Sequence, residues 1–180
     1  MNGILELVNK FIDDNVNDKM ICCDMTCGNG NDTLHLCKLS SFVYGFDIQQ
    51  IAIDNTKDKL IKEGVTNYKL ILDSHENIDK YIDNKIDLFI YNLGYLPKGD
   101  KSITTLPSTT ISSLKKALDL LNEQGKIIMV IYTGHEMGKK EEKELIPFVS
   151  NLPQDIYSVL KLQYINQINN PPYALIITKR

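Results

Sequence analysis

The residues most able to do chemistry are crowded into Ile21 to Thr33, which reads Ile-Cys-Cys-Asp-Met-Thr-Cys-Gly-Asn-Gly-Asn-Asp-Thr. An apolar run, Met20 to Cys23, ends in Asp24, and a loop carrying Gly28 and Gly30 follows. Asp32 and Thr33 are good N-cap types, so a helix is expected to begin at one of them. Glycines let a backbone approach a ligand closely, and a helix N-terminus offers free N–H groups. A second apolar run, Phe42 to Phe46, ends in another acid, Asp47. Asp47 lies about fifteen residues past the loop, near the roughly 20 expected of an acid that holds a ribose diol. The glycine spacing departs from the dinucleotide fingerprint G-x-G-x-x-G, because no third glycine follows Gly30. Asp24, just before the loop, would repel a pyrophosphate. The bland alternative is a structural turn between a strand and a helix.

Acid-x-x-x-Gly-x-Gly with a second acid closing the next strand resembles the S-adenosylmethionine loop of Rossmann-like methyltransferases. That cofactor has no phosphate and carries a positive sulfonium and a positive amino group, which acids favour. The resemblance assigns Asp24, Gly28, Gly30 and Asp32 to the loop. Asp47 with Gln49 would hold the ribose hydroxyls, since two carboxylate oxygens match a vicinal diol. The amides of Asn29 and Asn31 could meet the methionine end. Ser74 and His75 fall at the end of the third apolar run, beside the expected adenine, although a lone histidine can equally be structural. Asn92-Leu-Gly-Tyr95 resembles the Asn-Pro-Pro-Tyr signature of methyltransferases acting on nitrogen, with Leu-Gly in place of Pro-Pro. An Asn oxygen accepts amine N–H bonds, and an aromatic face suits a flat base or developing positive charge.

These residues need a scaffold that gathers strand ends. Ile4, Leu5, Val8, Phe11 and Ile12 recur at helical spacing, which predicts an N-terminal helix over about 3–13, either a lid or a packing element. Strands are expected at Met20–Cys23, Phe42–Phe46, Tyr68–Leu72, Ile86–Tyr91 and Lys126–Ile131. Helices are expected at Thr33–Leu39, Ile51–Lys62, Ile78–Ile82, Thr109–Leu121 and Glu141–Asn151. Gly64 and Gly125 would close two of them, and Pro147 would kink or break the last. Ile156–Ile165 and Ala174–Thr178 read as a closing antiparallel hairpin around the polar turn Asn166–Pro172. Alternating strands and helices predict a doubly wound, mostly parallel, seven-stranded α/β sheet forming a single domain over 1–180. In such sheets ligands sit at the carboxyl ends of the strands.

Composition agrees with a globular chain. Of 180 residues, 43% are hydrophobic and 24% charged, ordinary values for a folded domain. No apolar run approaches the roughly 20 residues of a membrane span, and the start lacks the features of a signal peptide. A cytoplasmic location is expected. The formal charge of −3 does not advertise nucleic acid, so any such contact must use local lysine patches. Each patch also reads as a solvated face. Cys22, Cys23, Cys27 and Cys37 include no C-x-x-C pair, and adjacent strand residues face opposite ways. Buried, reduced thiols without a metal are expected.

Beyond the loop, Gly45-Phe-Asp-Ile-Gln49, Asn92-Leu-Gly-Tyr-Leu-Pro97, Gly99-Asp-Lys101, Thr109-Thr110, Tyr132-Thr-Gly-His135 and Asn166-Gln-Ile-Asn-Asn-Pro-Pro172 resemble the rRNA-methylase family over almost the whole chain. Lys98, Met25 and Cys27 depart from the smaller residues common there. The family's characterised members methylate the amine of 5-aminomethyl-(2-thio)uridine at tRNA position 34, using S-adenosylmethionine. The resemblance implies that fold and cofactor, and an anticodon stem-loop as partner. Asn92 and Tyr95 would position the amine. His135 could take its proton, with Asp100 as a second candidate. Lys98, Lys101, Lys139 and Lys140 could meet phosphates, and Tyr95 or Tyr132 could stack on a splayed base. An amine of ribosomal RNA or a protein amide remains open as substrate. So do an NAD-dependent oxidoreductase and a non-catalytic RNA-binding module. The oligomeric state is open too, a homodimer included.

Overall fold

The computed structural model describes residues 3–94, 105–134 and 136–180. In chain order the elements are α1 (Ile4–Asn15), β1 (Ile21–Asp24), α2 (Asn31–Leu39), β2 (Phe42–Asp47), α3 (Gln50–Lys62) and β3 (Tyr68–Leu72). A 3-10 turn, His75–Lys80, leads to β4 (Ile86–Asn92), α4 (Pro107–Leu120), β5 (Leu121–Ile131), α5 (Glu136–Ser150), β6 (Tyr157–Leu162) and β7 (Tyr173–Lys179). The seven strands lie in the order β3-β2-β1-β4-β5-β7-β6. The first five are parallel, and β7 runs antiparallel between β5 and β6. The expected fold class is therefore present, with its closing hairpin.

The sheet is covered on both faces, which is why β4 is an almost unbroken apolar run. Successive side chains alternate between the faces. Cys23, Phe89 and Tyr91 join one core with Leu114 and Ala117 of α4 and Leu145 of α5. Cys22, Leu88 and Ile90 join the other with Val8 and Ile12 of α1 and Leu36 of α2. The first helix is thus a packing element through Val8 and Ile12, while Leu5 stays 41% exposed. The four cysteines are buried free thiols, and Cys22 and Cys23 serve opposite cores. Among the described residues, no helix is long and apolar enough to cross a membrane.

Several boundaries differ from expectation. Gly125 does not close a helix: α4 stops at Leu120 and β5 starts at once, at Leu121. Gln124, not Gly125, takes the positive φ there, at 63°. Gly125 is required for space, since an added Cβ would lie 2.7 Å from the Asn122 carbonyl oxygen. Pro107 occupies the first turn of α4, where its missing N–H costs nothing, so the helix begins two residues before the expected Thr109. Pro147 neither breaks nor ends α5, which runs on to Ser150. The β6 strand is shorter than expected and ends at Leu162. Gly64, with φ 70°, does take the expected place just past α3.

Candidate active site

The loop after β1 is built around Asp24. Its carboxylate is fully buried and accepts the Thr26 N–H at 3.0 Å and the Thr33 hydroxyl at 2.6 Å. One side chain thereby ties the start of the loop to the first turn of α2. Burial, and next the neighbouring Asp32 carboxylate, push the Asp24 carboxyl far above its ordinary range. Gly28 and Gly30 adopt left-handed φ values of 54° and 71°. Gly30 is itself the N-cap of α2 and provides no side-chain cap. Asp32 and Thr33 are therefore not the cap, because Thr33 turns inward to Asp24. A side chain at Gly30 would also collide with Thr56 of α3, whose Cα lies 2.9 Å from the added Cβ.

All the expected cofactor residues except Asp24 and Gly30, which do not line it, converge on one cavity of about 610 Å³ at the carboxyl ends of the strands. Gly28, Asn29, Asn31, Asp32, Asp47, Gln49, Ser74, His75, Asn92 and Tyr132 all line it. Such a volume suits a small-molecule ligand. Asp47 accepts the Gly28 N–H at 2.9 Å and the Gln49 N–H at 2.9 Å, one on each oxygen. Each carboxylate oxygen keeps a lone pair for a ligand. Asn29 accepts from Asn55 at 3.4 Å, and Asn31 accepts from Lys59. Ser74 caps the 3-10 turn by accepting the Glu76 N–H at 3.4 Å. His75 is buried edge-on to Tyr91, its Nδ1 has no hydrogen-bond partner, and burial pushes its pKa down to about 4. It is neutral at physiological pH.

Asn92 sits at the centre of a small network. Its backbone N–H donates to the Thr26 hydroxyl at 2.8 Å, and its side-chain amide donates to Asp32 at 3.1 Å. The Tyr132 hydroxyl meets the same amide group. Burial, then Asp32, push that phenol up to about 12. With its N–H committed to Asp32, the amide keeps a carbonyl oxygen to accept bonds.

Not every expected residue joins the cavity. Lys139, exposed on α5, lines a second groove of about 770 Å³ with Thr133, Asn169 and Tyr173, and Tyr132, next to Thr133 in the chain, lines the cavity. Lys140 is paired with Glu136 at 3.2 Å on the surface of α5. Tyr95, Lys98, Asp100, Lys101 and His135 lie outside the described residues. Sequence reasoning missed Thr26 and Thr33, which organise Asp24 and Asn92, and Leu5, Ile48 and Leu106, apolar side chains at the cavity rim. It also missed Thr105 and Glu141. Ile48 beside Asp47 was the readable signal, since an apolar residue following a strand-end acid suits a flat ring.

The sheet order and the terminal hairpin are those of class I, S-adenosylmethionine-dependent methyltransferases. A "putative rRNA-methylase" from Clostridium thermocellum superposes with a TM-score of 0.96 at 40% identity, covering 100% of this chain and 99% of that one. A "putative methyltransferase" from Streptococcus mutans, solved in complex with SAH, gives 0.93 at 38% identity, again over 100% and 99%. A tRNA (mnm(5)s(2)U34)-methyltransferase, chloroplastic, from Arabidopsis thaliana is 36% identical over 159 residues. That match takes in 80% of this chain but only 58% of the plant protein. Residues 43–178 match the family described as "Putative rRNA methylase", and the chain belongs to that family.

Proposed function

We propose that the protein transfers a methyl group from S-adenosylmethionine to the amine of 5-aminomethyl-(2-thio)uridine at tRNA position 34, giving the methylaminomethyl form. The described residues fit the cofactor. Asp32 and Asp47 face the cavity, so cationic groups are favoured there. Asp47 and Gln49 would hold the ribose, His75 and Ile48 would flank the adenine, and Asn29, Asn31 and the Gly28–Gly30 backbone would take the methionine end. When bound, the cofactor supplies a methyl group on a positive sulfur.

The observation that carries the amine reading is the Asn92–Asp32 bond. It commits the amide N–H to the carboxylate and leaves an acceptor oxygen for a substrate N–H. Asp32 also gives the ammonium form of an alkylamine a counter-charge. That ammonium must lose its proton before its lone pair can react. His135 and Asp100 are the candidate acceptors, and Tyr95 and Tyr132 the candidate stacking faces. The RNA reading draws on the tRNA methyltransferase relative and on the second groove. Lys139 stands there, with Lys140 nearby, and Lys98 and Lys101 would add phosphate contacts.

Mass spectrometry of nucleosides is the direct test. tRNA carrying the aminomethyl group is incubated with cofactor, with and without the protein. Conversion of the wobble nucleoside to its methylaminomethyl form is expected. Methyl transfer to ribosomal RNA or protein alone would keep the enzyme class and overturn the substrate.

A further inference from the structure

Glu141 belongs to α5, and the sequence around it, Lys139-Lys-Glu-Glu-Lys143, reads as a solvated face. Glu141 nevertheless is only 3% exposed. Among the described residues no lysine, arginine or histidine pairs with it. Its partners are two hydroxyls: Thr110 donates to Oε1 at 2.6 Å and Thr105 donates to Oε2 at 3.1 Å. Burying a carboxylate without a cation is costly unless its acceptors are well occupied. Burial accordingly raises its pKa, and the two threonine bonds pull it back.

The Thr105 hydroxyl links this carboxylate to the reaction site. The same Oγ1 accepts the Gly94 N–H at 3.1 Å, and the Thr105 N–H donates to the Gly94 carbonyl at 3.1 Å. Gly94 is thus held on both its polar groups, two residues past Asn92. Its φ of 147° is a conformation that residues with side chains rarely adopt. Leu93 between them is fixed by its N–H to the Val130 carbonyl at 3.0 Å. On the other side, Thr110 lies in the first turns of α4, whose N-cap Leu106 makes no side-chain cap. A carboxylate there also complements the positive end of the helix. One buried acid therefore joins three pieces: the exit of β4, the start of α4 and the body of α5.

We propose that Glu141 is a positioning residue for methyl transfer, acting through Thr105 on Gly94. It pins Gly94 to Thr105 and sets the backbone that carries Asn92 into the cavity. The role rests on the reading of that cavity as the methyl-transfer site. Thr105 lines the cavity and Glu141 does not, so the carboxylate works from behind the wall.

Two measurements on the full chain test this: amide hydrogen exchange at Gly94, and single-turnover transfer to aminomethyl-bearing tRNA at saturating cofactor. Thr105→Val keeps the shape and removes the hydroxyl. Glu141→Leu keeps much of the volume and removes both acceptors. Each should speed Gly94 exchange by about tenfold or more while amides inside β4 are unchanged. Each should slow transfer by about tenfold or more, with SAH affinity by calorimetry within about twofold of wild type. Thr105→Ser and Glu141→Gln retain partners for the same contacts and should restore both readouts. Where Glu141→Leu does not fold, Thr105→Val decides. Unchanged Gly94 exchange in Thr105→Val overturns the clamp, and faster exchange with unaltered transfer overturns its role in positioning. Failure of the substrate reading is separate: wild-type protein would then leave the aminomethyl tRNA untouched while Gly94 still exchanged slowly.

Discussion

Asp47 accepts the backbone N–H of Gly28 at 2.9 Å, across nineteen positions of sequence. This bond fixes the glycine loop against the end of β2. The same carboxylate accepts the Gln49 N–H, so the acid expected to hold the ribose is oriented from both sides. A site held this way loses little freedom on binding, which favours affinity.

Asp47→Ala should weaken binding of S-adenosylmethionine and SAH by about 1.5–3 kcal/mol, the scale of hydrogen bonds to a charged group. Asp47→Asn should fall between, since one oxygen remains and the amide nitrogen would face the Gly28 or Gln49 N–H. Calorimetry with SAH reads both. Affinity unchanged in Asp47→Ala would remove this residue from the ribose site.

His75 makes stability depend on pH. Its folded pKa is about 4, below its ordinary 6.5. Between those values the unfolded chain takes a proton that the folded one refuses. Its contribution is therefore fully present above about pH 6.5 and is lost as pH falls toward 4. The full effect is at most about 3 kcal/mol, at 1.36 kcal/mol per pH unit of separation. Urea midpoints should drop less from pH 7 to pH 5 in His75→Gln than in wild type. An equal drop in the two proteins would show that other groups set the acid limit.

How much of this was legible in the sequence depends on the range of the forces. The nearly all-apolar run Ile86–Tyr91 read as a strand covered on both faces, and it is one. Gly28 and Gly30 marked a loop between strand and helix, and both take left-handed φ values there, which glycine tolerates freely. The acids Asp32 and Asp47 and the amide of Asn92 were found because strand ends converge in such a sheet. Pairings between distant positions were not legible. Thr33 looked like a helix cap and instead serves a carboxylate nine residues earlier. Glu141, among charged neighbours on a helix, looked solvated, and only its burial against Thr105 and Thr110 reveals otherwise. Gly125 looked like a helix stop because the strand's start at Leu121 has no sequence mark of its own.

RNA binding should be electrostatic. If Lys98, Lys101, Lys139 and Lys140 contact phosphates, tRNA affinity falls as salt rises, with a log–log slope of about −0.7 per contact on single strands. Replacing all four with Gln should flatten that slope while SAH affinity stays the same. Lys140→Gln alone should do least, because Glu136 already engages that ammonium. A slope unmoved by the fourfold change would put the RNA on another surface.

The last prediction addresses the transfer step itself. Asn92 donates to Asp32 and meets Tyr132, and among the described residues its side chain bonds to none of Asp47, Gln49, Ser74 or His75. If its remaining oxygen orients the amine, its contribution appears in turnover rather than in cofactor affinity. Asn92→Ala should cut single-turnover transfer by on the order of a hundredfold, the scale lost when reacting groups are misplaced. Asp32→Ala should also slow transfer, because the Asn92 amide is then free to rotate and present its N–H to the substrate. Tyr132→Phe keeps the ring and removes only the hydroxyl, so it should be milder than Tyr132→Ala if stacking on the base is the main role. Raising the pH should help wild type by supplying more neutral amine, and it should not rescue Asn92→Ala, whose defect is one of orientation. Near-normal transfer by Asn92→Ala with saturating cofactor would overturn this active site while leaving the methyltransferase fold and family intact.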